Sequence, residues 1–187
     1  MLKIIDMAKI VAALNITLNG SCDHTSGIAD EELHEHYKEL IRGSDVILYG
    51  RITYQLMEGY WPALVKNPSG EKAMDGFAIA IHNIRKVVFS RTLKSLSWEN
   101  SVVAKNSLED EVRSLKNQQG KDVLIGSPSL INELTKLALI DEYQLCIHPV
   151  IAPDGLLLFK NIQEQIILKL KKTRIFKAGQ VLHYYER

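Results

Sequence analysis

A chain of 187 residues is long enough to bury a sizeable core and short enough to form one domain over 1–187. Its composition, 46% hydrophobic and 24% charged, is that of a globular protein, and a formal net charge of +1 without a basic run argues against nucleic acid or an anionic membrane as partner. No apolar stretch approaches the roughly twenty residues that span a bilayer; MLKIIDMAKIVAAL lacks a convincing signal-peptide cleavage pattern; and Cys22 and Cys146 make no disulfide framework, so a reducing, cytoplasmic setting is expected.

In chain order, AKIVAALNI (8–16) reads as a buried strand that leads into the polar loop TLNGSCDHTSGI. Asp30 is a good N-cap, and the helix it opens carries Leu33, Tyr37, Leu40 and Ile41 on one face before Gly43 stops it. DVILYG (45–50) is a second strand, and RITYQLMEGYW reads as a helix ending before Pro62. KNPSGEKA is turn-rich and MDGFAIAIHN a further short helix. RKVVFS and SVVAK are strands and LEDEVRSLKNQ is a polar-faced helix; DVLIG is another strand, and SPSLINELTKLALI a helix with Ser127 or Ser129 available as cap. YQLCIHPVI is a strand. EQIILKLKKTRIF and QVLHYYER read as two long strands joined at Lys177-Ala178-Gly179, an antiparallel hairpin. The alternation predicts an α/β fold with a mixed, mostly parallel sheet, helices on both faces and an antiparallel C-terminal edge. Apolar edge strands predict a homodimer, because an uncovered hydrophobic edge invites pairing.

The stretch CDHTSGIADEELHEH (22–36) concentrates chemistry-bearing side chains. As a metal site it fails on spacing: a zinc helix needs two histidines four apart, but His34 and His36 lie about 200° apart on a helix, and no second ligand pair follows Cys22 and His24. No metal is expected. His34, His36, Glu31, Glu32 and Glu35 read as a solvated helix face. Cys22 lacks the context of a nucleophile, and Cys146, inside an apolar strand, reads as a core residue.

Nucleotide binding is better supported. Gly50-Arg51-Ile52-Thr53, Ser90-Arg91-Thr92 and Gly126-Ser127-Pro128-Ser129 each follow a predicted strand. Ligands of open α/β sheets sit outside the carboxyl ends of parallel strands, where helix N-termini offer free N–H groups to phosphates. Glycine permits close approach, and arginine holds phosphate bidentately. Ordinary turns with solvated arginines are the alternative; the Rossmann and Walker patterns are absent.

NITLNGSCDHT, ILYGRITYQLMEGYWP, RKVVFSRTL, GKDVLIGSPSLINELTKLALIDEYQLCIHPVIAPDGLLLF and LKLKKTRIFKAGQVLHYYER together resemble the dihydrofolate reductase-like superfamily, specifically the reductase domain of bacterial riboflavin biosynthesis and its stand-alone relatives. The resemblance covers nearly the whole chain. It implies a three-layer dihydrofolate reductase-like fold and an NADPH-dependent reductase acting on a small heterocycle, in the manner of dihydrofolate reductase or 5-amino-6-(5-phosphoribosylamino)uracil reductase. Under it, Gly50, Arg51 and Thr53 hold cofactor phosphates, and Ser90, Arg91 and Thr92 lie near the adenosine ribose and its 2′-phosphate. Gly126, Ser127, Pro128, Ser129 and Leu130 cradle the pyrophosphate, and Thr17, Asn19 and Gly20 form the loop over the nicotinamide. Asp30 is the positional candidate for the substrate-anchoring carboxylate and Asp23 the second; the alternatives are a helix cap for Asp30 and a loop turn for Asp23. Gly126-Ser127-Pro128 departs from the family's run of glycines, and with no deaminase segment in the sequence a stand-alone reductase domain is expected rather than the bifunctional riboflavin enzyme. Two rivals stay open: a nucleotide-binding protein of the same fold without reductase activity, and an acid–base hydrolase built on Asp23, His24 and Asp30.

Overall fold

The computed structural model describes residues 8–153 and 155–187. Its elements are β1 (Ile10–Thr17), α1 (Glu31–Arg42), β2 (Ser44–Gly50), α2 (Arg51–Glu58), α3 (Trp61–Lys66), α4 (Lys72–Asn83), β3 (Arg85–Phe89), β4 (Ser101–Val103), α5 (Leu108–Lys116), β5 (Asp122–Ile125), α6 (Pro128–Lys136), β6 (Glu142–His148), β7 (Lys169–Ile175) and β8 (Val181–Glu186). They build one eight-stranded sheet in the order β4-β3-β2-β5-β1-β6-β8-β7. Strands β4 through β6 of that order run parallel, while β8 is antiparallel to both β6 and β7.

The period-2 alternation of the strands sorts the core into two layers. Ile10, Ala12, Val46, Leu48, Val123 and Ile125 face Val112 and Leu115 of α5 and Ile131 and Leu134 of α6. The intervening Val11, Ile47, Tyr49 and Leu124 face Ile41 of α1 and Phe77 and Ile81 of α4. The helices therefore cover both faces, the arrangement that strands buried on both sides require.

Three expectations are corrected by local physics. Pro62 does not end the second helix: α2 stops at Glu58 with Gly59 as its C-cap, and Pro62 sits in the first turn of α3, where a missing N–H costs nothing. The first strand of the hairpin starts at Lys169, because β8 ends at Glu186, the partner of Lys169, and leaves residues upstream nothing to pair with. The β7 edge is also not an apolar one. All seven residues of β7 are exposed and four are basic; Lys172 Nζ lies 4.1 Å from the Tyr184 ring centre and the Arg174 guanidinium 4.5 Å from that of Phe176. A cationic edge deters strand addition, and the opposite edge, β4, is only three residues long.

Candidate functional site at the carboxyl ends of the parallel strands

The carboxyl ends of β2 and β5, adjacent in the sheet, each feed a helix directly, so the N-termini of α2 and α6 lie side by side. Gly50 N donates to Ser127 Oγ at 2.8 Å, and Ser127 is 0% exposed. Ser127 holds the N-cap position of α6, yet its hydroxyl makes no cap bond within that helix; it reaches across to the neighbouring turn instead. The approach is close: a Cβ on Gly50 would lie 3.2 Å from Ser129 Oγ, and one on Gly126 would lie 3.1 Å from the Tyr49 ring. Gly50 and the run Gly126, Ser127, Pro128, Ser129 and Leu130 are thus brought together, with Arg51 and Thr53 following Gly50 in the first turn of α2. Within this group Leu130 buries its side chain in the core, while Arg51 is exposed and bonds Gln55 Oε1 at 3.0 Å.

On the other side of β2, Ser90 ends β3 in a turn, its Oγ accepting from Thr92 N (3.2 Å) and Leu93 N (2.9 Å), and Arg91 faces solvent. This segment is clamped by Glu58, which the sequence did not single out. Glu58 Oε1 accepts from Tyr54 Oη (2.8 Å), Ser97 N (3.3 Å), Ser97 Oγ and Trp98 N (3.2 Å). Burial pushes the Glu58 carboxyl upward, but these hydrogen bonds outweigh it and hold the group below the usual carboxylate range.

Thr17, Asn19 and Gly20 lie farther along, where β1 runs beyond the end of β5. Their polar groups stitch the chain to itself. Thr17 Oγ1 donates to Asn19 Oδ1 (2.7 Å) and accepts from Ser21 N (3.0 Å), while the Asn19 amide exchanges two hydrogen bonds with the Ala152 backbone. Gly20 has φ +78°, the left-handed conformation this tight turn needs.

The two candidate carboxylates separate. Asp23 is exposed and forms an Asx turn, its Oδ1 accepting from Thr25 Oγ1 (2.7 Å) and Thr25 N (2.8 Å); these bonds hold its carboxyl below the usual range. His24, 3.8 Å from it, is exposed on the same turn. Asp30 caps α1, Oδ1 accepting from Leu33 N at 2.8 Å. Its charge reaches inward to His148 and His34 and favours their protonation, although burial dominates and lowers both imidazoles.

His148 is the other residue that sequence reasoning missed. It ends β6, is 1% exposed, and its Nδ1 accepts from Ile28 N at 2.9 Å. Gln180, 0% exposed, donates from Nε2 to Ile28 O at 2.7 Å. His148 pairs with Thr17 in the β1–β6 ladder, and Gln180 stands one step beyond the last β6–β8 pair, opposite His148. The alternation of YQLCIHPVI was the available signal, for it puts His148 on the same strand face as Cys146, which packs beneath α1.

The solvated-face reading of α1 is corrected for its histidines, both half-buried. His34 packs against Trp61 and Phe77, and His36 against Tyr37, Phe176 and Tyr184. Burial lowers His36 to about 4, with Arg174 and Lys172 adding to the effect. Burial pushes the Cys22 thiol up to about 11 against the pull of Lys160, far from the reactive range. Among the described residues no three His, Cys, Asp or Glu side chains converge on one point.

Residues 8–184 match the family described as RibD C-terminal domain. The uncharacterized protein YyaP of Bacillus subtilis (strain 168) is 34% identical over 181 residues, 95% of this chain and 94% of its own length. Two solved structures share the fold. A pyrimidine reductase-like protein from Corynebacterium diphtheriae superposes with TM-score 0.65 at 17% identity, covering 96% of this chain and 91% of its own. The Thermotoga maritima diaminohydroxyphosphoribosylaminopyrimidine deaminase/5-amino-6-(5-phosphoribosylamino)uracil reductase has TM-score 0.65 and 17% identity over 96% of this chain and 56% of its own. The eight-stranded sheet with its antiparallel hairpin is the dihydrofolate reductase-like fold, and the chain belongs to the RibD C-terminal domain family.

Proposed function

We propose that this protein is an NADPH-dependent reductase that transfers a hydride to a C=N or C=O bond of a small heterocycle, pteridine or ribosylaminopyrimidine-like. The observation that carries this reading is the pair of abutting helix N-termini at Gly50–Arg51 and Ser127–Ser129, joined by the Gly50 N to Ser127 Oγ bond. The residues there fit a dinucleotide. First-turn N–H groups of α2 and α6 have no intrahelical partners, the two macrodipoles add positive potential, and both crossing points are glycines that a Cβ would crowd. Arg91, exposed on the turn after β3, suits the extra phosphate of NADPH.

NADPH supplies the hydride when bound, and the chain supplies orientation and exclusion of water. The N–H groups of Arg51 and Ile52, and of Ser129 and Leu130, would hold the diphosphate. Asp30 would anchor substrate N–H groups with the carboxylate oxygen not used to cap α1, and could hold a proton there. Asp23 is the weaker candidate because its carboxylate is occupied in an exposed turn. The chain is further proposed to act in the cytoplasm and as a homodimer; the neighbouring exposed Leu18 and Ile151 (78% exposed), rather than the charged β7 edge, are the surface a second copy would cover. Sedimentation of wild type and Ile151→Asp tests the dimer.

One observation favours the rival reading of a nucleotide-binding protein without reductase activity. Ser127 takes up the Gly50 N–H, and Pro128 has none to offer, so this cradle presents fewer donors than a run of glycines would. Titration with NADPH and NADH, followed by nicotinamide fluorescence, tests both. Micromolar NADPH binding weakened in Arg91→Ala supports the cofactor assignment, and turnover of a reducible pteridine or pyrimidine then separates reductase from binder. No binding of either nucleotide at millimolar concentration overturns both readings.

A further inference from the structure

The segment between Cys22 and α1 crosses the carboxyl end of β6, the end of the sheet on which the proposed substrate site lies. Its first half is self-contained: Asp23 bonds Thr25, and Ser26 N donates to Asp23 O. It is fixed to the body at Ile28, whose N–H donates to His148 Nδ1 and whose carbonyl accepts from Gln180 Nε2. Gly27 lies directly on the imidazole, since a Cβ there would be 3.4 Å from His148 Cε1. The Ile28 bond is the only hydrogen bond the His148 side chain makes among the described residues, its Nε2 being buried without a protein partner.

An N–H donor can be accepted at Nδ1 only while that nitrogen carries no proton, so the ring in this arrangement is the neutral Nε2–H form. A proton added at Nδ1 converts the acceptor into a second donor and sets N–H against N–H. We propose that His148 is a positioning residue that, together with Gln180 on the Ile28 carbonyl, latches the segment 22–29 over the end of β6, and that proton uptake at Nδ1 breaks the His148 half of the latch and loosens the segment. None of the groups packed around the ring accepts a hydrogen bond from it, although Gln180 Oε1 is itself buried without a partner. β1 and β8 contribute uncharged Thr17 and Gln180; from β6, burial pushes Cys146 up to about 12, so it stays neutral. From α1, Asp30 is the one charged group acting on the ring; its Oδ1 is turned to Leu33 N and its second oxygen makes no hydrogen bond within the described residues. Farther out, Glu32 is engaged by Lys177 N. The latch stands without the reductase reading. Its consequence for turnover, that acid opens the substrate site, rests on that reading.

The test is amide hydrogen exchange at Ile28 in the full chain, with ring nitrogen shifts of His148 giving its protonation state. Relative to an imidazole of ordinary pKa in the released state, protection of Ile28, corrected for intrinsic exchange, should fall about tenfold between pH 7.5 and 5.5. His148→Asn, whose side-chain oxygen replaces the Nδ1 acceptor but does not titrate, should keep protection at both pH values. His148→Phe should lose it at both, and His24→Gln should behave as wild type. Protection independent of pH in the wild type, the same fall in His148→Asn, or retained protection in His148→Phe overturns the latch. No nucleotide enters this experiment, so a failure here leaves the reductase reading standing, and a failure of NADPH to bind leaves the latch standing.

Discussion

Replacing Ser127 by alanine isolates the contact that joins the two helix N-termini. Ser127 Oγ lies 2.8 Å from Gly50 N in a fully buried position, so alanine removes the acceptor and strands a backbone N–H away from water. A buried donor without a partner costs about 1–3 kcal/mol, and with a urea slope of about 1–3 kcal/mol/M the unfolding midpoint should move down by about 1 M. Ser127→Gly serves as a comparison. It loses the same acceptor and, with the added chain entropy of glycine, should be destabilised by about 1 kcal/mol more at most. Urea unfolding monitored by tryptophan fluorescence and by circular dichroism measures both, and coincident transitions show that the two-state treatment holds. A midpoint for Ser127→Ala within error of wild type would refute the reasoning, because it would mean that Gly50 N–H does not depend on Ser127.

Arg91→Ala should weaken NADPH by about tenfold or more, the worth of a charge-assisted contact, while leaving NADH nearly unchanged; Arg51→Ala should weaken both, and isothermal titration distinguishes these patterns. His36, lowered to about 4 from an ordinary 6.5, binds fewer protons folded than unfolded between those values, so its contribution is complete above about pH 6.5 and is lost as pH falls toward 4. That amounts to about 3 kcal/mol. His36→Phe, which keeps an aromatic ring against Phe176 and Tyr184, should flatten the curve of stability against pH by that amount; equal curves would exclude His36 as a source. Glu58→Gln retains an oxygen but loses the charge that four donors address, and should raise amide exchange at Ser97 and Trp98 while α6 amides stay unchanged.

The layers of the fold were legible because burial on both faces leaves near-continuous apolar runs such as DVILYG and DVLIG, and because glycine and serine mark their ends. The phosphate-facing candidates were legible for the same reason, since strand end and helix start fall together at Gly50 and Gly126. What escaped was long-range. Ser127 announced itself as a cap, yet its partner is 77 positions away; Glu58 carried no signal because Ser97 and Trp98, which make it a clamp, lie 39 and 40 positions on in the chain. His36 looked solvated because β8 and Phe176, which cover it, come from the far end of the chain. The edge of the sheet was misjudged by counting the apolar residues of the tail: its last paired strand is KLKKTRI, and the isoleucines before it lie outside the ladder.

The insertion of β5 and β6 on either side of β1 sets an order of events during synthesis. Among the described residues β1 has no other neighbours in the sheet, whereas β2, β3 and β4 pair among themselves as soon as they are made. A ribosome releasing this chain therefore displays Ile10, Val11 and Ala12 as an unsatisfied strand until residues 122–148 have left the exit tunnel. Non-local pairing of this kind delays folding and prolongs exposure of sticky surface. β1, made before both strands it pairs with and flanked by them in the finished sheet, is the place where a chaperone or an aggregation partner has longest to act.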